Sequence, residues 1–159
     1  MLSYRQLNNE VDRALDNTPW LDDADVDQWP GAIGRFRGAN FTTRFVDDRL
    51  PSQQWLVSAR KMAFSVCQRR VSTEAGIAQE DRVVFDVVDP AEAIDLDASE
   101  TEGQIRSLYK RFFQVGEISD EDLITSLELL GELQTEAGAP DAWMGLCVAN
   151  LTSIRFLTF

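Results

Sequence analysis

Apolar residues recur along this chain at intervals of three and four in about five places, and each place predicts a helix. The first runs from Ser3 to Asp16. There Tyr4, Leu7, Val11, Ala14 and Leu15 fall on one face, and Ser3 can cap the start. Pro51-Ser52 opens the longest, in which Trp55, Leu56, Ala59, Met62, Ala63, Val66 and Cys67 keep the spacing to about Arg70. Thr73 to Gly76 ends it. Glu102 to Val115 aligns Ile105, Leu108, Tyr109, Phe112 and Phe113. Ser119 is the expected N-cap of the next helix. Asp120, Glu121 and Asp122 suit the positive end of its dipole, and Ile118 can staple onto Leu123. Leu127, Leu130 and Leu133 carry that stripe towards Gly138. Pro140 and Asp141 begin the last helix, in which Trp143, Leu146, Cys147, Val148, Leu151, Ile154 and Phe156 cover most sides. A helix apolar nearly all round belongs at the centre of a core.

Two stretches break the pattern. Residues 17–50 hold the turn formers Pro19, Pro30-Gly31, Gly34 and Gly38, with Phe36, Phe41 and Phe45 expected to plug the segment onto the core. Val83-Val84-Phe85-Asp86-Val87-Val88 is the β-rich run. It reads equally as a short strand or a buried extended segment, because a lone strand has no partner. Pro90 to Thr101 is acidic and reads as a loop or short helix. The expected fold is therefore all-α: one domain over 1–159, a compact bundle of about five helices. An irregular segment lies near 17–50, with at most one short strand near 82–88.

Charge modifies this picture. The 159 residues carry 27 acidic and 15 basic side chains, a net charge of -12. That repels phosphate and argues against nucleic acid as a partner. The basic residues are unevenly placed. Residues 35–70 hold Arg35, Arg37, Arg44, Arg49, Arg60, Lys61, Arg69 and Arg70 against Asp47 and Asp48, whereas residues 71–104 are strongly acidic with Arg82 as their one cation. Either the basic helix pairs with its own acidic neighbours, which is common in compact domains, or it offers a patch to a partner. On the second reading Trp20 and Trp29, in irregular chain, join Arg35, Arg37, Arg60, Lys61, Arg69 and Arg70 as contact candidates. Trp55 and Trp143 read as core.

The chain has no histidine. That removes His-activated nucleophiles and His-ligated zinc, iron or haem, and leaves acid–base chemistry to Asp, Glu, Lys, Tyr or Cys. Asp23-Ala-Asp25-Val-Asp27 opens like a calcium loop, but its sixth position is Gln28 and its twelfth Gly34. Asp95-Leu-Asp97-Ala-Ser99 fails likewise, with Arg106 at the twelfth. No catalytic residue, metal site or cofactor is expected. Cys67 and Cys147 sit on apolar helix faces. They read as buried free thiols or, if the chain is exported, as a bridge between the long and last helices. No apolar run reaches the length of a membrane span. The start lacks the basic-then-apolar pattern of a secretory leader.

Three segments resemble a known family. LSYRQLNNEVDRAL, from Leu2 to Leu15, is similar to an "L-T-x-x-E-Y-N-N-T-V-R-D-L-L" opening. IRSLYKRFF (Ile105 to Phe113) followed by ISDEDL (Ile118 to Leu123) resembles a "Y-x-R-F-L-x-R-x-P-T-x-x-E-L" helix pair, with Ile118-Ser119 in place of the Pro linker. AWMGLCVANLTSIRFL (Ala142 to Leu157) resembles an "A-W-x-x-L-C-x-x-L-L-x-S-x-x-F-L" closing helix. These belong to helical domains of exported cytochrome c-associated proteins of planctomycetes and myxobacteria. The resemblance implies an all-helical fold, a periplasmic or envelope location in place of the cytoplasm, and a possible accessory role beside an electron-transfer or haem protein. This chain has no Cys-x-x-Cys-His of its own. The expected function is a non-enzymatic structural or protein–protein interaction subunit, acting with a protein partner or by self-assembly. The alternatives are that accessory role and a small carboxylate-based enzyme.

Overall fold

The computed structural model describes residues 4–22, 24–31 and 53–157. Its helices are α1 (Tyr4–Ala14), α2 (Gln53–Glu74), α3 (Ser99–Phe113), α4 (Asp120–Ala137), α5 (Ala139–Thr152) and the single turn α6 (Ile154–Leu157). No strand forms among the described residues beyond an isolated bridge between Leu21 and Asp27. The expectations placed on Ser3, Arg35, Phe36, Arg37, Phe41 and Phe45 fall outside the described residues.

The bundle is built around α5, as its all-round apolarity predicts. Ala142, Trp143, Leu146, Cys147 and Leu151 are buried in it. It packs chiefly against α2 on one side and α4 on the other, and those two share no extensive interface. Cys67 of α2 and Cys147 of α5 are joined by a disulfide across this contact, with Cα atoms 5.9 Å apart. The bridge, and not the pair of free thiols, is what the buried faces bring together. On the α4 side the approach is close: a β-carbon at Gly145 would run into Leu133. Phe85 meets Trp143 edge-on at 5.8 Å, and Phe112 meets Phe156 at 6.1 Å. Such edge-to-face pairs add to the area buried.

Local chemistry explains the boundaries. Ser119 caps α4, its hydroxyl accepting from the Asp122 N–H at 3.1 Å, which contributes about 1 kcal/mol. Ile118 and Leu123 are both buried beside it. Helix α3 begins at Ser99, ahead of the expected Glu102. Its N-cap is Ala98, whose side chain offers no cap bond and hence no sequence signal. The last helix breaks at Ser153: the Ser153 hydroxyl donates to the Asn150 carbonyl at 2.8 Å and accepts from the Phe156 N–H at 3.2 Å. Leu56 departs from its expected place. It is 41 % exposed, because the buried stripe of α2 follows Trp55, Ser58, Ala59 and Met62.

The β-rich run is neither paired nor a strand. It is a run of bends in the connection from α2 to α3, preceded by a 3-10 turn at Gln79–Asp81 and satisfied by helix side chains. Glu74, at the last turn of α2 and 2 % exposed, accepts from the N–H groups of Val83 (2.9 Å), Val84 (2.9 and 3.1 Å) and Phe85 (2.6 Å). Gln104 of α3, fully buried, accepts from Val87 N–H at 3.0 Å and donates to the Val84 carbonyl at 2.8 Å. Gln134 of α4 accepts from the Ile94 N–H and donates to the Ile94 carbonyl at 3.0 Å. Backbone polar groups taken out of water must find partners, and here three helices supply them.

Asp89 closes the first bend of this connection. Its carboxylate accepts from Gly76 N–H at 3.0 and 3.2 Å and from Ala91 N–H at 2.8 Å. These bonds, with the nearby Arg82 charge, hold its pKa below the ordinary Asp value. A carboxylate depressed in the fold stabilises fully above the unfolded pKa of about 3.9, and loses that contribution as pH falls through the lower folded value. An NMR titration should therefore show the Gly76 amide moving with a midpoint below that of exposed aspartates. A midpoint at the ordinary value contradicts the anchoring.

Candidate functional site

Of the eight contact candidates, the described structure brings four to α2 and shows that they are not equivalent. Arg70, with its side chain 11 % exposed, pairs with Glu74 at 2.9 Å and Asp16 at 3.1 Å. It is an internal tie that fixes the carboxylate under the 83–85 amides. Arg69 pairs with Asp25 at 2.8 Å and reaches the Asp22 carbonyl at 3.4 Å, so it secures the 20–28 turn. For these two the intramolecular reading of the basic helix holds. Arg60 and Lys61 differ. Both are exposed, and no acidic side chain among the described residues lies within ion-pair distance of either.

Trp20 and Trp29 are not the exposed contacts expected of irregular chain. They are 4 % and 7 % exposed and packed edge-to-face at 5.2 Å. The chain between them folds back through the Leu21–Asp27 bridge and the Asp22 carboxylate, which accepts from Ala24 and Val26 N–H at 2.9 and 3.0 Å. A turn that tight stacks its two flanking indoles inward. Ser65 of α2 then pins it, donating to the Leu21 carbonyl at 2.7 Å. The calcium-like run is spent the same way: Asp25 holds Arg69, Asp27 accepts from Trp29 N–H at 2.9 Å, and Asp23 lies outside the described residues.

What remains open on α2 is its outer face. Leu56, Val57 and Phe64 are 41, 54 and 49 % exposed, and Arg60 and Lys61 lie between them at helical spacing. This face leads into a groove between α2 and the 20–28 turn, floored by Trp20, Leu21 and Val148 and of about 820 Å³, room for several side chains. Apolar groups thus flank two cations that have no acidic partner among the described residues. Sequence reasoning found the cations but not the apolar residues beside them, because Leu56 lay within the apparent core stripe.

A second concavity, lined by Asn8, Asp12, Asn17, Pro19, Asp27, Trp29 and Pro30, brings two carboxylates together. Burial pushes the Asp12 pKa up. The Asn8 amide, donating to it at 2.9 Å, opposes this, and the Asp27 charge adds to it. No group of three or more potential metal ligands occurs among the described residues. No helix among them is long and apolar enough to cross a membrane.

No family model matches the chain, and neither curated proteins nor solved structures give a match.

Proposed function

We propose that this chain is a non-enzymatic interaction subunit of a larger protein assembly. The supporting observation is the outer face of α2, where Arg60 and Lys61 have no acidic partner among the described residues and stand among exposed Leu56, Val57 and Phe64 in a chain of net charge -12. What sets Arg60 and Lys61 apart is their place beside exposed apolar residues, and cations left outside the internal ion pairs are available to a partner. The Cys67–Cys147 bridge supports an exported setting, since buried disulfides persist in oxidising compartments. The resemblance of the chain's ends to exported helical domains points the same way. Affinity purification of the native protein tests the reading. A stoichiometric protein partner should copurify with the wild type and be lost from Arg60→Glu/Lys61→Glu. A strictly monomeric protein with no partner counts against it.

A second reading, a small carboxylate enzyme, draws on the cleft shared by Asp12 and Asp27, where one carboxyl is held protonated more readily than usual. It requires turnover that disappears in Asp12→Asn and in Asp27→Asn alike.

A further inference from the structure

A face of opposite charge to that of α2 is present on the molecule itself. The outward side of α4 carries Glu121, Glu128 and Glu132, all exposed, around Ile124, which is 55 % exposed. None of these glutamates has a basic partner among the described residues, whereas Asp122 on the inner edge does, Arg155 at 3.6 Å. The α2 face reads apolar–basic–apolar (Leu56 and Val57, then Arg60 and Lys61, then Phe64) and the α4 face acidic–apolar–acidic, so the two match when shifted by one helical turn, Leu56 and Val57 towards Ile124 and the cations towards Glu128. Helices α2 and α4 each pack mainly on α5 and share no extensive interface, and both faces are exposed, so neither covers the other within one copy and they can meet between copies.

We infer that the chain associates head to tail with a second copy of itself, the α2 face of one molecule docking on the α4 face of the next. A heterologous contact of this kind closes into a ring or continues as a filament. Its charge pattern fixes the register: like faces repel, α2 on α2 through the cations and α4 on α4 through the glutamates, so the head-to-tail arrangement avoids both costs. Net charge of -12 opposes crowding of copies, which makes the local cation–glutamate match the deciding term and the association sensitive to salt.

This inference rests on the reading of the α2 face as an interaction surface. Its test is the mass of the purified full chain by light scattering and sedimentation, across protein concentration at low and high salt. At low salt the wild type should rise with concentration to twice the 17.9 kDa monomer or beyond, and return to the monomer at high salt. Arg60→Glu/Lys61→Glu alone and Glu121→Lys/Glu128→Lys alone should each remain monomeric while keeping the wild-type circular dichroism and, at high salt where the wild type is monomeric too, its melting temperature. An equimolar mixture of the two should associate again, because the reversed faces are now complementary. A wild type that stays monomeric at every concentration overturns the inference, as does a mixture that fails to associate. Loss of a different copurifying protein on reversing Arg60 and Lys61, with a monomeric wild type, removes the second copy and leaves the interaction role standing.

Discussion

Reduction of the Cys67–Cys147 bridge should lower stability by about 4 kcal/mol. The bridge closes a loop spanning 80 residues, and the chain-entropy relation gives that magnitude for a loop of this size. For a domain of this length each kcal/mol moves the melting temperature by about 2–4 °C, so reduced protein should melt about 8–16 °C below oxidised protein. Both cysteines are essentially solvent-inaccessible, at 0 and 1 % exposure. Reductant must therefore wait for the structure to open, and thiol appearance in native buffer should be slow and accelerate sharply in sub-denaturing urea. Calorimetry of the oxidised, reduced and Cys67→Ala/Cys147→Ala proteins measures the first effect; timed thiol alkylation measures the second. Equal melting temperatures with and without reductant would falsify the structural role of the bridge.

Glu74→Gln should cost about 3–5 kcal/mol, the usual penalty for removing one member of a buried ion pair. The wild-type carboxylate receives amides from Val83, Val84 and Phe85 and pairs with Arg70. An amide side chain keeps one acceptor, turns an NH2 towards N–H donors, and leaves the largely buried Arg70 with the half-exposed Asp16 as its carboxylate among the described residues. Asp16→Asn should cost far less, because Asp16 is 46 % exposed and water can replace it. Urea titration ranks the two variants, and hydrogen exchange at Val84 and Phe85 locates the damage. Wild-type protection of those amides in Glu74→Gln would show that the carboxylate does not hold the segment.

Much of the helical architecture was legible because its signals are local. Ser119 with three acidic residues behind it announces α4, and the apolar wealth of α5 announces a central position. The connection from α2 to α3 was not legible as a structure, because its amides are satisfied from a distance in sequence. A trace existed, however. Glu74 continues the buried phase of Cys67 and Val71, and Gln104 continues that of Thr101 and Leu108. A polar residue in core phase signals a buried acceptor, and the run at 83–88 was the segment in want of one. Trp20 and Trp29 were misplaced because the turn that folds them inward depends on one carboxylate, Asp22, and not on a recognisable turn dipeptide. For the candidate surface, sequence marked Arg60 and Lys61 but could not separate them from Arg69 and Arg70. That distinction needs the positions of Asp16 and Asp25 in space.

Val83-Val84-Phe85-Asp86-Val87-Val88 has the composition of a segment that stacks into cross-β fibrils. In the fold, the amides of Val83, Val84, Phe85, Val87 and Val88 all donate to Glu74 or Gln104. An aggregation-prone run is thereby kept from templating other chains without any sheet to hide it in. Loosening either the carboxylate or the amide clamp should therefore lower solubility as well as stability.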